Sequence, residues 1–162
     1  MPLSTVLVLA FLIGCVAGLR TMTAPALICW GAHPGPPTAW LGLGGTPLAF
    51  LANPISLVIF TLLAIGEFIG DKLPKTPSRI TLFPLAARAG SGALCGSALA
   101  VAASVPVAGG AVCGLVGAIV GAYAGYSVRR LLTSRAGLPD LLIALVEDAV
   151  AIGGGLLVVS RF

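Results

Sequence analysis

Residues 107–130 read VAGGAVCGLVGAIVGAYAGYSVRR. No Asp, Glu, Lys, Arg or His interrupts the run from Val107 to Val128, and Arg129-Arg130 closes it. Wound as a helix at about 1.5 Å per residue, such a run reaches across a hydrocarbon core of about 30 Å. Gly117, Gly121 and Gly125 stand four apart. They share one face of that helix, where the missing side chains let a neighbouring backbone approach closely. In water the same glycines would weaken the helix. The stretch reads as a transmembrane span built for close packing.

The rest of the chain agrees. Of its 162 residues 58% are hydrophobic and 9% charged, against roughly 25% charged in an average soluble domain. The mean hydropathy is +1.10. A soluble fold could not cover its surface with so few charges, whereas apolar surface facing acyl chains carries no penalty. The net charge of +4 does not point to nucleic acid. The basic residues flank apolar runs and form no solvated stripe, and the positive-inside rule accounts for them. Cys15, Cys29, Cys95 and Cys113 lie in apolar stretches without C-x-x-C spacing. They read as small packing residues, so no metal and no cofactor is expected.

Working outward from 107–128, Pro106 with Gly109-Gly110 predicts a tight turn from a span over about 86–105. Leu138-Pro139-Asp140 opens a last span over 141–159. Asn53-Pro54 starts another over 55–70, with Pro in the first turn, and the polar run Asp71 to Arg79 stops it. Near the N-terminus, Leu3 to Leu19 is apolar, Arg20 interrupts it, and apolar character resumes from Ala24 to Trp30. This first segment, about 3–30, is expected to be broken near 20–25, with Arg20 inside the membrane. His33-Pro34-Gly35-Pro36-Pro37 cannot be helix interior. Residues 39–52 carry Gly42, Gly44, Gly45 and Pro47 and read as re-entrant or interfacial, flanked by Trp30 and Trp40 as anchors. Leu12-Ile13-Gly14-Cys15 fits a lipobox, but no Lys or Arg precedes it and the apolar run continues past the cysteine. The segment is read as a permanent helix.

The expectation is an all-α, polytopic transmembrane helix bundle in a single domain, 1–162. It has about five spans and a re-entrant or broken first segment. Five spans would put Lys72, Lys75, Arg79, Arg88, Arg129, Arg130 and Arg135 on one side, against Arg20 and Arg161 on the other. That asymmetry predicts an inner (plasma) membrane protein with a cytoplasmic N-terminus. A sixth span at 39–52 would reverse the N-terminus. Leu63 to Glu67 is similar to Ile143 to Glu147, and Gly14 to Leu19 to Gly121 to Tyr126. An inverted repeat is one reading of these matches.

Ionisable groups inside spans are costly and usually face the bundle interior or a wet cavity. Glu147 and Asp148 lie well inside the last span, and Glu67 and Asp71 share one face of the 55–70 helix. Arg20 is the first candidate partner for Glu67, and Arg88 the second. An arginine in a broken helix can pair with carboxylates or grip an anionic solute. Thr21 and Thr23 could satisfy peptide groups freed by the break. Arg20, Thr21, Thr23, Glu67, Asp71, Arg88, Glu147 and Asp148 are thus the candidate substrate or ion site, placed at the membrane midplane. Lys72, Lys75, Arg79, Arg129 and Arg130 read as topology signals that meet lipid headgroups. The spacing of Lys72 and Arg79 is similar to a lipid-phosphatase signature, but Ile80 replaces the required Pro and the downstream histidines are missing. No Ser/His/Asp set or phosphate loop is present, so no catalytic residue and no enzyme activity is expected. Gly14/Gly18, Gly92/Gly96, Gly117/Gly121 and Gly121/Gly125 are four apart. They line up small faces for packing within one subunit or for a homo-oligomer.

Ala17-Gly18-Leu19-Arg20-Thr21-Met22-Thr23-Ala24-Pro25 resembles the opening motif of a bacterial membrane family catalogued as domain of unknown function 4126. Gly66 to Pro74 with Thr76 to Arg79, Arg88 to Ala93, and Glu147 to Gly154 resemble its later blocks. The resemblance covers nearly the whole chain and implies a small polytopic inner-membrane protein without an established activity. Two functions follow as expectations. One is a transporter or channel for an ion or a small polar or anionic solute. The other is a scaffold or assembly protein whose buried charges are structural salt bridges. The lipid bilayer is the expected partner.

Overall fold

Pro25 decides where the first helix stops. A helix running through it would drive its ring into the carbonyl four residues back, at Thr21. In the computed structural model, which describes residues 1–35, 40–70, 81–135 and 139–162, α1 (Leu3–Leu19) ends at Arg20 in extended backbone, φ −140° and ψ 111°. The second helix, α2 (Thr23–Ala32), begins three residues later. Pro25 falls in its first turn, where a missing N–H costs nothing. A 3-10 turn (Ala49–Ala52) leads to α3 (Pro54–Gly70), then α4 (Leu82–Ala102), α5 (Val107–Arg135) and α6 (Asp140–Val159). No strand occurs among the described residues, and the chain is an all-helical bundle.

Glycine sets the centre. Gly14 and Gly18 of α1 lie against Gly114, Ala118 and Gly121 of α5, while Gly92 and Gly96 of α4 lie against Gly110, Gly114 and Ala118. A methyl group added at Gly14, Gly96 or Gly114 would run into the backbone of the neighbouring helix. Gly110 is therefore not a turn residue. The turn expected at Pro106 with Gly109-Gly110 is made instead by residues 103–106, where Ser104 adopts φ 57° and its N–H donates to the Val101 carbonyl.

The contacts fix the helix directions. Gly109 meets Leu7, and Gly18 meets Ala122, so α1 and α5 run parallel. Arg20 meets Asp148 and Val16 meets Gly155, so α6 is antiparallel to α1. Leu27 also meets Gly155, and Gly31 meets Val159, so α2 runs with α6. The first segment is thus broken and re-entrant: α2 folds back along the bundle. Glu67 beside Met22 and Thr61 beside Trp30 make α3 antiparallel to α2. This return changes the spatial arithmetic. Both chain termini lie at one end of the bundle. Arg20, Arg88, Arg129 and Arg130 lie toward the other, so Arg20 is not on the side opposite Arg88, as a single kinked first span requires. The α1 and α5 segments with similar sequences run parallel, whereas those of α3 and α6 run in opposite directions.

The chain after α2 tucks back into the core. The Gly31 carbonyl accepts the N–H groups of Trp40 and Leu41, each at 2.8 Å, and Leu41, Leu43 and Leu51 are buried. Irregular backbone at this depth is tolerated because protein covers it. His33 is half-buried at the end of α2.

The surface is inverted relative to a soluble protein. Ile55 is 68% exposed and Leu82 86%, while Arg20 is fully buried and Arg88 nearly so. The helices Leu82–Ala102, Val107–Ser134 and Leu141–Val159 are long and apolar enough to cross a membrane. The chain is a membrane-embedded protein.

Candidate functional site

The break between α1 and α2 leaves peptide groups without helical partners at both of its ends. Side chains from two other helices meet them. Glu67, one turn from the end of α3, accepts the Thr21 N–H on Oε1 and the Met22 N–H on Oε2, each at 2.8 Å. Arg88 of α4 donates through Nη1 to the carbonyls of Gly18 and, at 2.8 Å, Leu19. Ser91, three residues along the same face, donates to the Thr21 carbonyl at 2.6 Å. A carboxylate thus sits on the positive end of α2, and a guanidinium on the negative end of α1. The two caps also face each other, with Arg88 Nη2 3.8 Å from Glu67 Oε1.

Arg20 occupies the break itself. Its Nη2 is 2.5 Å from Asp148 Oδ1 of α6. Its guanidinium carbon stands 5.6 Å from the centroid of the Phe68 ring, within cation–π range. The preceding residue of α6 is turned away by about 100°. Glu147 therefore faces α5, where its Oε2 is 3.9 Å from Arg129 Nη1. Among the described residues, the two adjacent carboxylates meet different arginines.

Depth follows from α5. Gly18 lies beside Ala122, fifteen residues from the start of that helix at Val107. The break is thus about 23 Å from the glycine-rich end of α5, in a core about 30 Å thick. The cluster lies toward the basic end of the bundle.

The structure brings together Arg20, the Thr21 backbone, Glu67, Arg88 and Asp148. It pairs them differently from the first expectation: Glu67 goes with Arg88, and Arg20 with Asp148. The reason is the return of α2, which turns the Thr21 and Met22 N–H groups toward α3. Thr23 Oγ1 is buried and makes no hydrogen bond among the described residues, so Glu67, Arg88 and Ser91 satisfy the break instead. Glu147 and Arg129 form a separate pair, and Arg130 is exposed. Asp71, Lys72, Lys75 and Arg79 lie outside the described residues. Ser91 and Phe68 were not legible as site residues. Ser91 does stand three residues after Arg88, a spacing that shares a helix face.

A groove of about 460 Å³ opens between α5 and α6, floored by Leu19, with Arg129 and Glu147 among its lining residues. Its walls are otherwise apolar side chains and glycine.

Compared with known proteins, residues 7–160 match the family model described as "Domain of unknown function (DUF4126)". No curated protein and no solved structure matches the chain.

Proposed function

The chain belongs to the family described as domain of unknown function 4126, and from the geometry of the break we propose that it is a non-catalytic membrane scaffold whose buried charges fasten a re-entrant hairpin into the bundle. One observation carries this reading. In transporters with broken helices, the half-helix ends are offered to solute: the N-terminal end to an anion, the C-terminal end to a cation. Here the chain fills both positions itself. The Glu67 carboxylate takes the anion's place on α2, and the Arg88 guanidinium takes the cation's place on α1. Arg20, the candidate grip for an anionic solute, is fully buried against Asp148.

The groove that reaches Glu147 favours the second reading, a transporter or channel for an ion or a small polar solute. Flux into proteoliposomes separates the two. The scaffold reading expects wild-type flux equal to that of protein-free vesicles under proton, sodium and potassium gradients. Gradient-driven flux that Glu147→Gln abolishes in a folded protein would overturn it in favour of transport.

The same proposal covers placement. The basic end faces the cytoplasm of the plasma (inner) membrane, which puts both termini outside, whereas the five-span expectation had the N-terminus in the cytoplasm. The glycine faces are used inside the bundle. A second copy or another partner would therefore be held elsewhere. The α3 helix suits that role, since Ala64 is its one buried residue.

A further inference from the structure

The groove between α5 and α6 does not end at its apolar walls. Val128, Leu132, Leu142, Val146 and Val150 line it, and Arg129 stands in it beside Glu147. Arg129 also lines a second, shallower cavity of about 340 Å³ on the adjoining face of α5, with Tyr126, Arg130, Thr133 and Ser134. An apolar trough therefore passes through one arginine onto a polar shelf that carries a second arginine and two hydroxyls. Thr133 and Ser134 donate to the carbonyls of Arg129 and Arg130, at 2.8 and 2.7 Å, which leaves their oxygen lone pairs and the arginines as the facing chemistry. Among the described side chains lining the two cavities, Arg129 and Arg130 outweigh the Glu147 carboxylate by one positive charge.

The length of α5 bears independently on the level of the shelf. Arg129 stands twenty-two residues along α5 from Val107, or about 33 Å, slightly more than the thickness of a hydrocarbon core, about 30 Å. A trough of acyl-chain character below that level and basic groups at it match one kind of occupant. We propose that this surface is a binding site for an anionic phospholipid, with one acyl chain in the α5–α6 groove and the phosphate on Arg129 and Arg130. The inference rests on the membrane placement of α5 and α6. It does not depend on whether the charges at the helix break are structural or transport-related.

The test is native mass spectrometry of the detergent-solubilised full chain, titrated with phosphatidylglycerol and with phosphatidylcholine of the same acyl chains. Phosphatidylglycerol is expected to be retained about fivefold more tightly. Arg130 is exposed, so Arg130→Gln should leave the fold intact and bring the two lipids to within about twofold. Ala124→Phe, which fills the groove from an exposed position, should weaken both lipids together. Inorganic phosphate should not displace the bound lipid. Equal retention of the two lipids by wild type would overturn the proposal, because it describes an ordinary lipid annulus. Unchanged phosphatidylglycerol retention in both variants would overturn it too, as would displacement by phosphate alone, which describes a lipid-independent anion site.

Discussion

Glu67→Gln tests the helix break at its most exacting point, because it keeps the shape of the side chain and removes its charge. Both Glu67 oxygens accept a backbone N–H at 2.8 Å. Glutamine can offer one oxygen, and its amide nitrogen, itself a donor, must then face the other N–H. One charge-assisted bond is weakened and the second is replaced by a donor–donor contact. The side chain is 13% exposed, so water cannot readily repair the loss. A hydrogen bond to a charged group is worth roughly 1.5–3 kcal/mol, and a stranded buried donor costs roughly 1–3 kcal/mol. The expected destabilisation is about 3 kcal/mol. Arg88 also loses its 3.8 Å partner, but its bonds to the Gly18 and Leu19 carbonyls remain, so this adds little. Unfolding by sodium dodecyl sulfate in mixed micelles, followed by tryptophan fluorescence, measures the change. The chain's two tryptophans, Trp30 and Trp40, lie on α2 and the segment bonded to it. A Glu67→Gln protein within about 0.5 kcal/mol of wild type, the range of an inert surface change, would refute the argument that this carboxylate holds the hairpin.

Four further outcomes follow. Asp148→Asn takes a carboxylate charge away from the buried Arg20 and should cost about 3 kcal/mol in the same titration, while the apolar pair Arg20→Met with Asp148→Leu should recover much of it; a double variant as damaged as the single one would contradict the pairing. Gly114→Val places branched carbons against the Gly92 carbonyl and should cost at least about 3 kcal/mol, seen as lost monodisperse material on gel filtration. Gly153→Ala, which faces open space, should stay within about 0.5 kcal/mol of wild type. In a background without the native cysteines, Ser4→Cys and Ser160→Cys should label from one side of the membrane and Ser134→Cys from the other. Labelling of the two termini from opposite sides would contradict the return of α2.

The helical class and the place of the break were legible because each has a local cause. Apolar runs such as Val107 to Val128 admit only helix in lipid, and Pro25 with Arg20 marks where one must stop. The direction taken after the break was not legible. Hydropathy is blind to it, since a kinked span and a hairpin bury the same residues. That single ambiguity spread to everything that depended on sidedness: the side of Arg20, the relation of the two termini, and the choice of Arg20 over Arg88 as the partner of Glu67. Gly92/Gly96 and Gly14/Gly18 announced close packing. Their meeting at Gly114 depends on a three-helix geometry that spacing alone does not carry. Arg129 read as a topology signal because it ends an apolar run. Its pairing with Glu147 is a contact between two helices whose relative rotation the sequence leaves open.

The burial of Arg20 against Asp148 has a consequence in time. Chains are made from the N-terminus, at about 5–20 residues per second. Arg20 therefore enters the bilayer with the first helix, long before the last helix exists. Until then a guanidinium rests in a medium where it costs roughly 2.5–3.5 kcal/mol on insertion scales. The α1 helix waits in the same way for the α5 glycines that it packs against. The pair can close only when the final helix has arrived in the right register and direction. A truncated or misthreaded chain would lack the Asp148 carboxylate that meets this arginine, a mark by which a protease could tell an unfinished molecule from a finished one.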